Sequence, residues 1–112
     1  MTKKNNSTAD NFLLGDSEIS GNINTNSSIR IDGKLLGNLN TAQKLVVGNS
    51  GVITGTVHCQ NAQIEGTIEG NINVQEVIDL RSGAKIKGDI LSTKIILEDN
   101  CQIQGKLKLK SK

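Results

Sequence analysis

Six times along this chain an aliphatic residue is followed two positions later by glycine, and two positions after that by another aliphatic residue. The copies are ISGNI from Ile19, LLGNL from Leu35, ITGTV from Ile53, IEGNI from Ile68, IKGDI from Ile86 and IQGKL from Ile103. Their glycines, Gly21, Gly37, Gly55, Gly70, Gly88 and Gly105, are spaced by 16, 18, 15, 18 and 17 residues. Two overlapping copies, IDGKL around Gly33 and IEGTI around Gly66, bring the total to eight of the twelve glycines. Ile, Leu and Val make up 31 of 112 residues, so chance would flank about one glycine in this way, and the chain is a repeat protein.

Residues two apart in a strand face the same side. The two aliphatics of each copy, with the glycine between them, are therefore expected to point inward, and the intervening Ser, Asn, Thr, Glu, Lys, Asp and Gln to solvent. Glycine at such a position marks a corner, where walls converge or the backbone needs a positive φ. A second aliphatic ladder follows seven or eight residues after each marker glycine: Ile29 and Ile31, Leu45 and Val47, Ala62 and Ile64, Ile78 and Leu80, Ile95 and Leu97. Stretches rich in turn formers, such as NTNSS, VGNSG, RSGA and EDNC, can close a three-sided coil. No segment sustains a 3.6-residue apolar period, so helix is not expected.

One coil cannot bury its own inward row. Stacked at the usual 4.7–4.9 Å, equivalent residues such as Ile23, Leu39, Val57, Ile72, Ile90 and Leu107 form an aliphatic column about 30 Å long. The apolar residues are almost wholly aliphatic, with one Phe and neither Trp nor Tyr, which suits a narrow tube filled in layers. The expected fold is all-β: a single parallel β-solenoid of about six coils with triangular cross-section, residues 12–109, flanked by a polar tail 1–11 and a short basic tail 110–112.

Chemistry finds little purchase on this pattern. The chain lacks a GxxxxGK[ST] loop, a GxSxG and an HExxH motif, so neither nucleotide binding nor hydrolysis is expected, and no cofactor or metal is assigned. Cys59 and Cys101 are too few for a disulfide scaffold and read as small buried apolar residues of a reducing compartment. The start, MTKKNNSTADN, has no apolar leader region, and no stretch reaches membrane-spanning length, so a cytoplasmic protein is the expectation. The strongest rival is a left-handed hexapeptide-repeat acyltransferase. It draws on a run at intervals of six, Ile72, Ile78, Ala84, Ile90 and Ile96, and another through Leu91, Leu97, Ile103 and Leu109. The 15- and 16-residue coils break that hexad. Such enzymes use a catalytic His, and the only one here, His58, alternates outward from Val57.

The two ends of the stack carry the functional expectation. A solenoid ends in open strand edges, which a neighbour can extend unless they are capped or charged. The last coil, QIQGKLKLKSK, alternates almost to its end and offers Ile103, Leu107 and Leu109. At the other end Phe12, Leu13, Leu14 and Ile19 form an apolar cluster. Charge is uneven: residues 11–105 carry seven Lys or Arg against ten Asp or Glu, whereas residues 106–112 hold four lysines. With no aromatic platform, specific nucleic-acid binding is not expected.

These coils, and the string SIRIDGKLLGNL followed by further glycine-centred repeats, resemble the bactofilin family of bacterial cytoskeletal proteins over roughly Phe12 to Leu109. The resemblance implies a right-handed β-helix polymerising end to end, without nucleotide, into non-polar filaments that organise cell shape and cell-wall synthesis, often at the membrane. It also implies self-association and cell-wall enzymes as partners. Family members that bind membrane use an N-terminal tail combining bulky apolar and basic residues; Met1, Lys3 and Lys4 match it in part, since no large apolar residue follows Met1.

Overall fold

The computed structural model describes residues 11–13, 15 and 17–110, and every regular element among them is a strand. The strands wind into coils with three faces. The first face holds β1 (Asn11–Leu13), β4 (Ile29–Ile31), β7 (Lys44–Val47), the second halves of β9 (Val57–Ile64) and β11 (Ile72–Leu80), and β14 (Lys94–Leu97). The second face stacks β2 (Glu18–Ser20), β5 (Lys34–Leu36), β8 (Val52–Thr54), β10 (Thr67–Glu69), β12 (Lys85–Lys87) and β15 (Gln102–Gln104). The third holds β3 (Ile23–Thr25), β6 (Leu39–Thr41), the first halves of β9 and β11, β13 (Ile90–Ser92) and β16 (Leu107–Leu109). Each face is thus six strands deep, which is about five turns from the first rung to the last. Each strand pairs in parallel with its equivalent one coil away.

Register follows the repeat. The expected column pairs Ile23 with Leu39, Leu39 with Val57, Val57 with Ile72, Ile72 with Ile90 and Ile90 with Leu107. On the second face Ile19, Leu35, Ile53, Ile68, Ile86 and Ile103 stack in the same way. Between the ends these side chains are sealed, from Leu35, Ile53 and Ile68 at 0% exposure to Ile86 at 1%. Each such burial is worth about 1.5–3 kcal/mol against exposure in the unfolded chain. The hexad that would favour the rival fold breaks here: Ile72, Ile78, Ala84 and Ile90 lie in the core, but Ile96 is exposed on the outside.

The marker glycines do turn corners, between the second and third faces, but their missing side chains would not point inward as expected. Their φ runs from 132° at Gly21 to 149° at Gly105. A Cβ built on Gly37, Gly55, Gly70, Gly88 or Gly105 would strike the carbonyl group of the marker glycine one coil below. The constraint is therefore axial: the coils approach so closely at this corner that only glycine fits. The residue after each glycine completes the corner. Asn22 Oδ1 accepts the Asn38 N–H at 3.0 Å, Asn38 Oδ1 the Thr56 N–H at 3.0 Å, Asn71 Oδ1 the Asp89 N–H at 3.3 Å, and Asp89 Oδ1 the Lys106 N–H at 3.1 Å. Side chains that read as solvated thus tie coil to coil at four of the five steps, the exception being the step from Thr56 to Asn71.

The other corners vary and account for the uneven spacing. Between the first and second faces the chain uses two residues at Asp32–Gly33 and Glu65–Gly66, but four at Gly48–Gly51, Arg81–Ala84 and Glu98–Cys101. Between the third face and the next coil, Gln75 and Glu76 bulge opposite the single Gln60, where the pairing of β11 with β9 shifts register. Buried hydroxyls fasten this corner: Thr41 Oγ1 donates to the Ser27 carbonyl at 2.6 Å, and Ser92 Oγ to the Glu76 carbonyl at 3.0 Å.

Candidate assembly interface

The interior columns run the length of the stack and reach solvent at its last rungs. At the C-terminal end, Ile95 and Leu97 continue the column of Ile78 and Leu80, Ile103 that of Ile86, Leu107 that of Ile90, and Leu109 that of Ser92. One rung deeper, none of the equivalents exceeds 1% exposure. On the last rung Leu107 is 43% exposed, Leu97 51% and Leu109 67%, while Ile95 and Ile103 are half-buried against the core. Sequence and local conformation are those of an interior coil; what is missing is a rung on top. Among the described residues nothing pairs with the outer edges of β14, β15 and β16, nor with those of β1, β2 and β3.

At the N-terminal end Ile19 is 38% exposed above a sealed Leu35, and Ile23 is half-buried above Leu39. Strand β1 sets Phe12 in register with Arg30 and Leu13 with Ile31. Leu14 lies outside the described residues, as do Met1, Lys3 and Lys4. The sequence therefore picked out Ile19, Ile103, Leu107 and Leu109 at the ends, and missed Ile23, Ile95 and Leu97. Those three belong to ladders that are interior everywhere else, so their exposure depends on position in the stack and not on local pattern.

Charge frames the C-terminal end without entering it. Lys106 and Lys108 are exposed on the outer surface of the last coil, and their alternation with Leu107 and Leu109 places charge around the rim and apolar side chains over the core. Elsewhere Arg30 forms a forked pair with Asp32 (Nε to Oδ2 2.8 Å, Nη2 to Oδ1 3.2 Å), which raises the guanidinium pKa; at the surface such a pair adds little stability. His58 is exposed on the third face, and no group of three or more His, Cys, Asp or Glu capable of holding a metal occurs among the described residues. Cys59 is buried in the core, and desolvation pushes its thiol up to about 12, the behaviour of an inert apolar side chain. No helix among the described residues is long and apolar enough to cross a membrane.

Among the described residues the molecule is a parallel β-solenoid whose core columns surface at both ends, a structural repeat architecture whose open strand edges can be extended by a neighbour. Comparison with known proteins agrees. Residues 11–108 match the family model of bactofilins, described as polymer-forming cytoskeletal, and the chain belongs to the bactofilin family. It is 31% identical over 102 residues to bactofilin BacP of Myxococcus xanthus (strain DK1622), covering 90% of this chain and 42% of that protein. It is 28% identical over 103 residues to bactofilin BacO of the same organism, covering 91% of this chain and 82% of that protein. The chain thus spans less than half the length of BacP and most of BacO. No solved structure matches it significantly.

Proposed function

We propose that the chain is a cytoskeletal subunit that self-assembles end to end, without nucleotide, into filaments serving as a scaffold for cell shape or cell-wall synthesis. The observation that carries this reading is the pair of unfinished rungs. Leu97, Leu107 and Leu109 at one end and Ile19 at the other are exposed in rows whose neighbours one coil away are sealed. A second copy laid on either end continues both the aliphatic columns and the backbone ladders, and it needs no bound cofactor to do so.

Phe12, Leu13, Leu14 and Ile19 are assigned to one contact and Ile103, Leu107 and Leu109 to the other, with Ile23, Ile95 and Leu97 added from their positions on the terminal rungs. The subunit is proposed to be non-enzymatic and cytoplasmic, lying peripherally at the inner face of the membrane through Met1, Lys3 and Lys4 and recruiting cell-wall enzymes to the filament. Electron microscopy of purified protein with and without nucleotide tests the core of the proposal. Filaments in both conditions are expected; a monodisperse monomer across all salt concentrations would refute it, and acyl-transfer activity would favour the rival reading.

A further inference from the structure

One row of outward side chains on the third face changes character partway along the stack. Asn24, Asn40, His58, Asn73, Leu91 and Lys108 stand in direct register, one per coil. Over the first two coils the row closes on itself, with Asn40 Nδ2 donating to Asn24 Oδ1 at 2.9 Å. From His58 onward no hydrogen bond joins one member to the next among the described residues, and Asn73 Oδ1 is buried with no hydrogen-bond partner among them. At that break the surface opens into a groove of about 340 Å³. His58, Asn73, Leu91 and Lys108 line one side of it, and the glycine-corner residues Asn71 and Asp89 the other. Leu91 is half-buried and Lys108 exposed, so an apolar side chain and a cation lie one rung apart, about 4.8 Å, at the C-terminal mouth.

We infer that this groove docks an extended segment of a partner protein, one that carries an apolar residue and, two positions further on, a carboxylate. Charge complementarity identifies the occupant. Lys108 and its exposed neighbour Lys106 attract a carboxylate to the C-terminal mouth, whereas Asp89 repels one a rung deeper, where Leu91 offers apolar contact instead. Asp89 is itself partly satisfied, since its Oδ1 accepts the Lys106 N–H at 3.1 Å. Asn71 uses its Oδ1 on the Asp89 N–H at 3.3 Å and keeps its amide donors, to which Asn73 adds its own, for the carbonyls of the guest. A nucleic acid or a membrane surface fits less well, because Asp89 opposes a polyanion and the groove holds no aromatic platform.

Spacing sets the form of the guest. From the His58 rung to the Lys108 rung is roughly 14 Å, three steps of ~4.8 Å, which an extended chain covers in about four or five residues at ~3.3 Å each. Side chains on one side of such a chain recur about every 6.6 Å, and the long lysine stem takes up the difference from one rung. So short a contact binds weakly on its own. On a filament the groove recurs in every subunit, and a partner presenting several copies of the segment gains about 10²–10⁴-fold in avidity. That gain, and the recruiting role it serves, rests on the end-to-end reading; the groove itself belongs to the single subunit.

The test selects a random heptapeptide display library on immobilised wild-type protein and measures the enriched peptides by fluorescence anisotropy at fixed ionic strength. Peptides with an acidic residue two positions after an apolar one are expected, saturating near one per subunit. Binding to Lys108→Glu and to Leu91→Ser should be at least tenfold weaker, and binding to Lys85→Gln, which removes a lysine from the second face, unchanged. All three side chains point outward, and far-UV circular dichroism checks that each variant keeps its solenoid. No enrichment, or enriched peptides that ignore both Lys108→Glu and Leu91→Ser, would overturn the groove. So would basic peptides, an equal loss with Lys85→Gln, or saturation far below one per subunit, the mark of strands added at the open ends. Sedimentation of the wild type reads the other assumption separately. Peptide binding without a pellet would sink the end-to-end reading and leave the docking site standing, whereas a pellet without peptide binding would do the reverse.

Discussion

An arginine in place of Leu109 should disassemble the filament while leaving the solenoid folded. Leu109 is 67% exposed in the isolated subunit, so about two thirds of its apolar surface remains to be covered by a neighbour. Full burial of a leucine is worth about 1.5–3 kcal/mol, which leaves roughly 1–2 kcal/mol to the contact. Leu109→Ala should therefore weaken association about 5- to 30-fold. Leu109→Arg does more, because closing the contact must also desolvate an unpaired guanidinium at a cost of several kcal/mol. Within the subunit the loss is small, since β16 keeps its backbone pairing to β13 and the side chain buries only a third of itself. The assay is sedimentation over a range of concentrations, with far-UV circular dichroism and urea unfolding on the same samples. The expected result is a graded rise in critical concentration from wild type to Ala, loss of the pellet for Arg, and β-rich spectra throughout. A pellet for Leu109→Arg at the wild-type critical concentration would refute the assignment of this rung to the polymer contact.

Three further outcomes follow from the interior. Gly55→Ala combines a φ of 145° with a collision against the Gly37 carbonyl, and should cost about 3 kcal/mol or more in urea unfolding or abolish folding, since strain and overpacking add. Asn38→Ala removes the acceptor of the Thr56 N–H and should cost about 0.5–1.5 kcal/mol, against no change for Gln104→Ala, which is exposed outside the corner ladder. Burial holds the Cys59 thiol protonated up to about 12, whereas the unfolded thiol ionises near 8.5–9. Above that lower value the unfolded state binds fewer protons, so stability falls as pH rises. By pH 10 the loss from this group is about 1.4 kcal/mol, and Cys59→Val should lose correspondingly less between pH 7.5 and 10 in the same unfolding assay.

The repeat made the stack legible because burial in a coil obeys a two-residue alternation that survives changes in coil length. The column from Ile23 to Leu107 aligns from the sequence alone for that reason. The corner chemistry was not legible in the same way. Asn22, Asn38 and Asn71 look like ordinary turn formers, and their function depends on a backbone N–H some 16 to 18 residues away, a separation set by the lengths of the other corners. The marker glycines were found but aimed wrongly, since sequence alternation distinguishes inside from outside and carries no sense of direction along the axis. At the ends, Leu107 and Leu109 stood out through their lysine alternation, while Ile95 and Leu97 look like any interior pair. The tail containing Met1, Lys3 and Lys4 lies outside the described residues.

The corner that holds two residues at Glu65–Gly66 and four at Gly48–Gly51 has a consequence beyond coil length. It is the edge of the triangle where the described coils differ most in length, by two residues, while the strands on either side keep their register, whereas the glycine corner keeps one length throughout. Lengthening a surface loop is cheap, about 0.6 kcal/mol per doubling. Asn49 and Ser50, both exposed, are accordingly where an epitope, a fluorophore or a binding loop can be grafted. On the proposed polymer such a graft would recur once per subunit. The edge would then act as a ruled line along which attached proteins are displayed at even intervals.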